Sequence, residues 1–276
     1  MSGGAQLFAL NHMAAPNLRV AALFALAKAL GITRVEIRND LAGNAIIDGT
    51  PAVDVAEAAA KAGVEIISIN ALQRFNAWSP EREREAIELA DYAAASGAKA
   101  LVLVPRNDGE GRGDAERLPN LVTALTALKP ILAQRGLIGL VEPLGFEICS
   151  LRRKSEAVAG IDAVDGADTF KLVHDTFHHH LAGEGAIFPE RTGLVHISGV
   201  DDSAVAVVDM RDSHRVLVDG ADRLGNLIQI RALRATGYAG PLSFEPFAES
   251  VQKLDVSQIR EALAASMAFI TAGVVS

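Results

Sequence analysis

Cysteine is almost missing from this chain. A single residue, Cys149, among 276 excludes an internal disulfide and a cysteine-built zinc cluster. It sits among apolar residues with no base beside it, which predicts an inert buried thiol. Long hydrophobic runs are also missing. None approaches the roughly 18 residues that a membrane-crossing helix needs. The opening Met1-Ser2-Gly3-Gly4 lacks the charged start and apolar stretch of a secretory signal. A cytoplasmic protein with no membrane partner is therefore expected. Grouped basic residues are absent too: 26 Lys and Arg against 34 Asp and Glu give a net charge of −8, spread along the chain. Nucleic acid is not an expected partner, because phosphate backbones are met by clustered cations. No Gly-x-Gly-x-x-Gly follows the first strand-like run, and no Gly-Lys-Ser/Thr occurs, which argues against a dinucleotide site or a P-loop. The glycine-rich segment 109–113 reads as a loop.

What is present is a repeated unit. Half of the residues are hydrophobic, enough for a sizeable core. Strand-like runs are predicted at 6–11, 33–38, 64–70, 98–105, 137–143, 169–175, 194–198 and 241–246. Between them lie amphipathic stretches at 51–62, 80–96, 118–135, 155–164 and 226–236. A first helix is expected from a cap at Asn17 to Gly31, and a last one from a cap at Ser257 through Ile270. Gly31, Gly63, Gly97 and Gly136 close helices at intervals of roughly 30 residues, the length of one strand–helix unit. Eight such units in 276 residues predict an α/β fold, a single-domain (β/α)8 TIM barrel covering the whole chain, with no interdomain linker.

Four of the strands end in ligand-type side chains. Glu142 lies in Val-Glu-Pro, Asp175 in His-Asp-Thr-Phe, His196 in Val-His-Ile and Glu245 in Phe-Glu-Pro. Function in such barrels collects at the carboxyl ends of the strands. Adjacent strands lie under about 5 Å apart, so strands five to eight can aim these groups into one cavity. Carboxylates with one neutral imidazole form a mixed O/N donor set suited to one divalent ion, Mn²⁺, Zn²⁺, Co²⁺ or Mg²⁺.

These residues resemble the metal-ligand pattern of the xylose isomerase-like TIM barrels, and within that superfamily the inosose (2-keto-myo-inositol) isomerases are the most similar. Asn11, Val35-Glu36-Ile37-Arg38, Ile69-Asn70-Ala71-Leu72, the Asp175–His180 run, the region from Asp212 to Arg215 and Ser243-Phe244-Glu245-Pro246-Phe247 extend the resemblance over nearly the whole length. It departs at 216–222, where relatives commonly carry a Pro-Gly-x-Gly turn, and it lacks the extra histidines and basic face of the superfamily's DNA-repair nucleases.

The resemblance implies a metal-dependent isomerase of a small polyhydroxylated ketone, inosose first. A ketose 3-epimerase, a hydroxypyruvate isomerase and an inosose dehydratase are alternatives on the same site. A sugar-binding or regulatory barrel without chemistry is the non-enzyme alternative. Moving a carbonyl to its neighbour requires loss of a carbon-bound proton and stabilisation of an enediolate, for which a divalent ion serves as Lewis acid. The resemblance places Glu142 and Glu245 on opposite sides of the ion as the acid/base pair, with Asp175 and His196 purely as ligands; for Glu142 a role as ligand alone stays open. His178 is expected to bind a substrate hydroxyl or oxyanion, and His180 fits the same pattern, whereas His174 and His179 face elsewhere. Arg215 and Arg38 either steady an enediolate oxygen or form ion pairs. Asn11 and Asn70 either bind hydroxyls or cap backbone. Phe75, Trp78 and Phe177 either wall the mouth or belong to the core. The exposed apolar helix positions permit a homo-oligomer.

Overall fold

The computed structural model describes residues 7–275. Gln6, where the first predicted strand begins, and Met1-Ser2-Gly3-Gly4 lie outside the described residues. Eight parallel strands pair in sequence order and the last closes on the first. They are β1 (Phe8–Asn11), β2 (Arg34–Arg38), β3 (Glu65–Gln73), β4 (Ala100–Val104), β5 (Ile138–Val141), β6 (Phe170–Asp175), β7 (Thr192–Ile197) and β8 (Leu242–Phe244). Outside them run α1 (Val20–Ala29), α2 (Ala52–Ala62), α3 (Pro80–Ser96), α4 (Asp114–Ala133), α5 (Lys154–Ala163), α6 (Thr176–Ala182), α7 (Asn226–Ala235), α8 (Glu249–Gln252) and α9 (Val256–Val275). This is the (β/α)8 barrel that the repeat predicts.

The helix stops follow the expected chemistry. Gly63 and Gly97 end α2 and α3 at φ of 72° and 78°, a left-handed conformation that glycine adopts without a Cβ clash. Several starts differ from expectation. Arg19, not Asn17, stands at the cap of α1, and the Asn17 amide instead donates to the Gln252 carbonyl. Helix α4 begins at Asp114 rather than 118. Asp114 and Glu116 in its first turn complement the exposed N–H groups there, and Pro119 is carried inside the helix. Asp255, not Ser257, caps the last helix, accepting from the backbone N–H groups of Ser257 and Gln258. Strand β3 runs on to Gln73, beyond the predicted end at Asn70.

The main core lies between barrel and helices. Val35 and Ile37 of β2 and Ile66 and Ile69 of β3 point outward into it, with Leu121, Leu125 and Leu128 of α4 and Leu263 and Ile270 of α9. The barrel interior is divided. A small apolar cluster joins Ala100, Val102, Leu140, Val173 and Leu194, all from β4 to β7. Asn11, Glu36, Ser68, Asn70, His196 and Ser243, also buried, form a hydrogen-bonded network across β1, β2, β3, β7 and β8. Two register shifts align this polar half. Between β2 and β3 the pairing moves from Val35↔Ile66 to Glu36↔Ser68, and between β6 and β7 from Leu172↔Thr192 to Val173↔Leu194. A bulge of one residue re-aims every side chain that follows it. The second shift sets Asp175 directly opposite His196.

Candidate active site

Asp175 ends β6, Glu142 follows β5 directly, His196 is the penultimate residue of β7, and Glu245 follows β8. One donor atom from each of these four buried residues lies within 4.8 Å of the others. His196 is the hub. Its Nδ1 is 2.8 Å from Glu142 Oε1, 3.2 Å from Glu245 Oε2 and 3.9 Å from Asp175 Oδ2. The opposite ring nitrogen, Nε2, contacts both oxygens of Glu36 at 3.1 and 3.2 Å.

Each carboxylate is held differently. Asp175 Oδ1 caps α6, accepting from the N–H groups of Phe177 and His178 at 2.7 and 3.0 Å, while Oδ2 accepts from Arg215 Nη2 at 2.6 Å. The same Nη2 donates to Glu245 Oε2 at 3.0 Å. Glu245 Oε1 accepts from Arg38 Nη1 at 3.0 Å and from Asn11 Nδ2 at 3.2 Å. Both oxygens of Glu245 are thus pinned. Among the described residues, Glu142 is held only through Oε1, by His196, and its side chain lines the cavity.

Charge and burial set these groups apart. Burial alone would raise Glu245, but His196, Arg215 and Arg38 hold its carboxyl below the usual range. Burial raises Glu142, and His196 does not fully offset it. Burial would lower His196, yet Glu245, Glu36 and Glu142 raise it well above the usual imidazole value. Burial would depress Arg215, and Asp175 and Glu245 raise it instead. Such a surplus of buried carboxylate is stable only with cations beside it.

The donor set fits a divalent ion. Ligand bonds of about 2.0–2.2 Å place donors on opposite sides of an ion just over about 4 Å apart, and the four atoms here span no more than 4.8 Å. Three carboxylates with one imidazole match a hard-to-borderline cation such as Mn²⁺, Co²⁺, Zn²⁺ or Mg²⁺.

Above this group opens a cavity of about 400 Å³ lined by Arg38, Asn70, Glu142, His178, Arg215 and Glu245, among others. His178 is buried there, and its Nδ1 has no hydrogen-bond partner. Asn107, from the loop after β4, also lines the cavity, with a buried Oδ1 equally unpartnered. Arg38 lies on the cavity wall in an ion pair with Asp40 as well as Glu245. Asn70 reaches the wall, but its amide donates to Glu36. Asn11 is fully buried and serves Glu36 and Glu245, and its Oδ1 caps the backbone at Met13. His180 is half-buried on α6 and does not line the cavity. His174 and His179 do face elsewhere, both contacting Lys154 Nζ, at 3.0 and 2.7 Å.

For Phe75 and Trp78 the core alternative holds. Phe75 belongs to the main core and Trp78 packs against it, so neither guards the mouth. Phe146 and Phe247 line the cavity instead. Phe247 lies 4.6 Å and Phe177 5.1 Å from the Arg215 guanidinium, contacts that steady the cation on ring faces. Cys149 is buried, and burial pushes its thiol up to about 12, so it is inert as expected. Glu36 is the functional-grade residue to which the sequence assigned no role.

Fold and site together define a TIM barrel with a four-residue metal-type centre at the carboxyl ends of its strands. Residues 24–272 match the xylose isomerase-like TIM barrels, and the chain belongs to that family. A solved xylose isomerase domain-containing protein from Salmonella typhimurium LT2 is 33% identical, with a TM-score of 0.90 over 97% of this chain and 98% of that one. The IolI protein, solved with a bound zinc atom, is 22% identical, with a TM-score of 0.85 over 98% of each chain. An L-ribulose 3-epimerase shares the fold at 16% identity, with a TM-score of 0.71 over 97% of this chain and 94% of that one. No curated protein matches the sequence significantly.

Proposed function

We propose that this protein is a divalent-metal-dependent isomerase of an uncharged polyhydroxylated ketone, with inosose as the leading substrate. The observation that carries the reading is the convergence of Glu142, Asp175, His196 and Glu245 within 4.8 Å at the floor of a cavity of about 400 Å³, within the size range of small-molecule sites. The ion, once bound there, would polarise the substrate carbonyl and lower the cost of the charge that develops next to it.

The protein's own residues divide the remaining work. Glu142 has an oxygen free of intramolecular hydrogen bonds and a carboxyl raised by burial, the properties of a group that takes a proton from carbon and passes it on. Glu245 is pinned by Asn11, Arg38 and Arg215 and held below the usual range. It stays ionised as a ligand, and the proton that Glu142 takes from one carbon is returned by Glu142 to the neighbouring carbon. His178 Nδ1 and Asn107 Oδ1 offer hydrogen bonds to substrate hydroxyls. Phe146 and Phe247 limit water at the mouth.

The charge balance supports an uncharged substrate. Among the described residues, each arginine lining the cavity is already paired: Arg38 with Asp40 and Glu245, Arg74 with Asp108, and Arg215 with Asp175, Asp212 and Glu245. Apart from the metal site itself, a carboxylate or phosphate substrate would find no unpaired arginine in the cavity, which weighs against hydroxypyruvate and sugar phosphates.

The test is proton NMR in deuterated water, with metal-loaded protein, an EDTA-treated control and Glu142→Gln, on inosose and a panel of neutral ketoses. Metal-dependent deuterium uptake with appearance of an isomer supports the reading. Uptake with loss of water moves the assignment to a dehydratase, and inversion at one ketose carbon moves it to an epimerase. Binding of inositols with no exchange in any arm leaves a sugar-binding barrel.

A further inference from the structure

Glu36 lies in the middle of β2, fully buried, and the proposed chemistry makes no use of it. An ionised carboxylate in a barrel interior is costly unless its lone pairs are met. Here they are met completely. Oε1 accepts from Asn11 Nδ2 at 3.3 Å and from Ser243 Oγ at 2.5 Å, and Oε2 accepts from Ser68 Oγ at 2.5 Å and Asn70 Nδ2 at 2.7 Å. The fifth partner is His196 Nε2, 3.1 Å from Oε1 and 3.2 Å from Oε2. Four strands therefore supply neutral donors or pairing partners to one carboxylate, and the only charged-type group among them is the histidine of the metal-type centre. Asn11 and Asn70 present Nδ2 groups that can only donate, and with the two serine hydroxyls they fill both oxygens of Glu36 as acceptors, the pattern of an ionised carboxylate.

An ionised carboxylate offers lone pairs only. The ring nitrogen facing it must then carry a hydrogen. That assigns the hydrogen of His196 to Nε2 and turns Nδ1, the nitrogen beside Glu142, Asp175 and Glu245, toward a metal ion as a donor. The register shift between Val35 and Glu36 is part of the same device, because it brings Ser68 rather than Ile67 opposite Glu36.

We infer that Glu36 is a positioning residue, a carboxylate beneath His196 that fixes its tautomer and ring orientation so that Nδ1 binds the divalent ion. The inference rests on the four-residue site being a metal site. Glu36 does not line the cavity; it reaches the metal-type centre directly through His196 and more remotely through Asn11, which also donates to Glu245. Outer partners of ligating histidines typically change metal affinity about 10- to 100-fold when removed.

The experiment compares wild type with Glu36→Gln, which keeps the shape and removes the charge. Mn²⁺ and Co²⁺ affinities are measured by calorimetry on metal-stripped protein, and the visible absorption of the Co²⁺ form reports ligand geometry. The expected result is about a 10- to 100-fold weaker affinity and a shifted Co²⁺ spectrum in Glu36→Gln, with an unchanged substrate KM at saturating metal. Wild-type affinity and an unchanged spectrum in Glu36→Gln, whatever the thermal stability, would overturn the inference. If the wild type binds no metal, the functional reading itself fails, a distinguishable outcome. Should Glu36→Gln not fold, the Ser68→Ala/Ser243→Ala double variant is read in its place. It leaves every ligand intact and loosens Glu36, so a severalfold loss of affinity supports the positioning role and unchanged affinity contradicts it.

Discussion

Glu142 and Glu245 are the same residue type at equivalent strand ends, yet their surroundings separate them. Three N–H donors grip Glu245 beside its contact with His196, and the His196 contact alone holds Glu142. Replacing Glu142 by Gln is expected to cut solvent exchange by about 10²- to 10⁴-fold while metal still binds, whereas Glu245→Gln is expected to weaken metal binding as well. Parallel exchange and calorimetric measurements separate the two, and equal loss of metal in both variants would refute the division. A second residue gives a pH prediction. Burial, more than Arg38, pushes His12 down to about 4, and Leu18 and Asp40 act against that shift. Its Nε2 lies 2.7 Å from the Leu18 carbonyl. Between about pH 6.5 and 4 the unfolded chain takes up a proton that the folded chain resists, so stability falls as pH drops through that window. His12 contributes up to about 3 kcal/mol of the loss, and buried His174, also lowered, adds to it. Urea unfolding at pH 7 and 4.5 should show a shallower acid loss in His12→Gln; an unchanged slope would contradict the assignment. At this scale the strand-ending acids were legible because polar residues break apolar runs. Glu36 was not: Arg34-Val35-Glu36-Ile37-Arg38 alternates like a strand with one face in water, and only closure of the barrel turns that face inward.

Two elements owe their function to a single skipped residue. The shift at β6–β7 leaves Gly193 out of register so that Asp175 meets His196. A Cβ on Gly193 would stand 2.7 Å from Leu140 Cδ2 and 2.9 Å from Lys171 Cβ, closer than packed carbons tolerate. Gly193→Ala is expected to cost roughly 1–3 kcal/mol, the range for overpacking, and to weaken metal binding through the displaced pair. Thermal unfolding together with metal titration checks both; a destabilised variant with wild-type affinity would show that the bulge does not set the site. Helix α6 shows the limit of pattern reading. His178 and His180 were both expected at the substrate, but the capping of α6 by Asp175 turns only His178 into the cavity, while His179 reaches Lys154. Helix ends marked by Gly63 and Gly97 were readable, since a left-handed stop requires glycine. The starts at Val20 and Asp114 were not, because tertiary bonds such as Asn17 to Gln252 draw the best capping side chain elsewhere.

At the scale of the whole molecule, the barrel gathers residues from β1, β2, β5, β6, β7 and β8 around one point, which neither a single helix nor an open loop could do. The polar half of its interior is built for charge, with Arg38 and Arg215 flanking the carboxylates. Because these cations are already paired, neutral polyols are expected to bind with affinity that changes little between low and high salt, in contrast to charged substrates; calorimetry at two ionic strengths tests this, and a steep salt dependence would point to an anionic ligand. The most direct test of the central claim is a crystal grown with Co²⁺ or Mn²⁺ and examined by anomalous scattering. A single peak about 2.0–2.3 Å from Glu142, Asp175, Glu245 and His196 Nδ1 is the predicted result. No peak there, or an ion on Nε2 or elsewhere in the barrel, would contradict it.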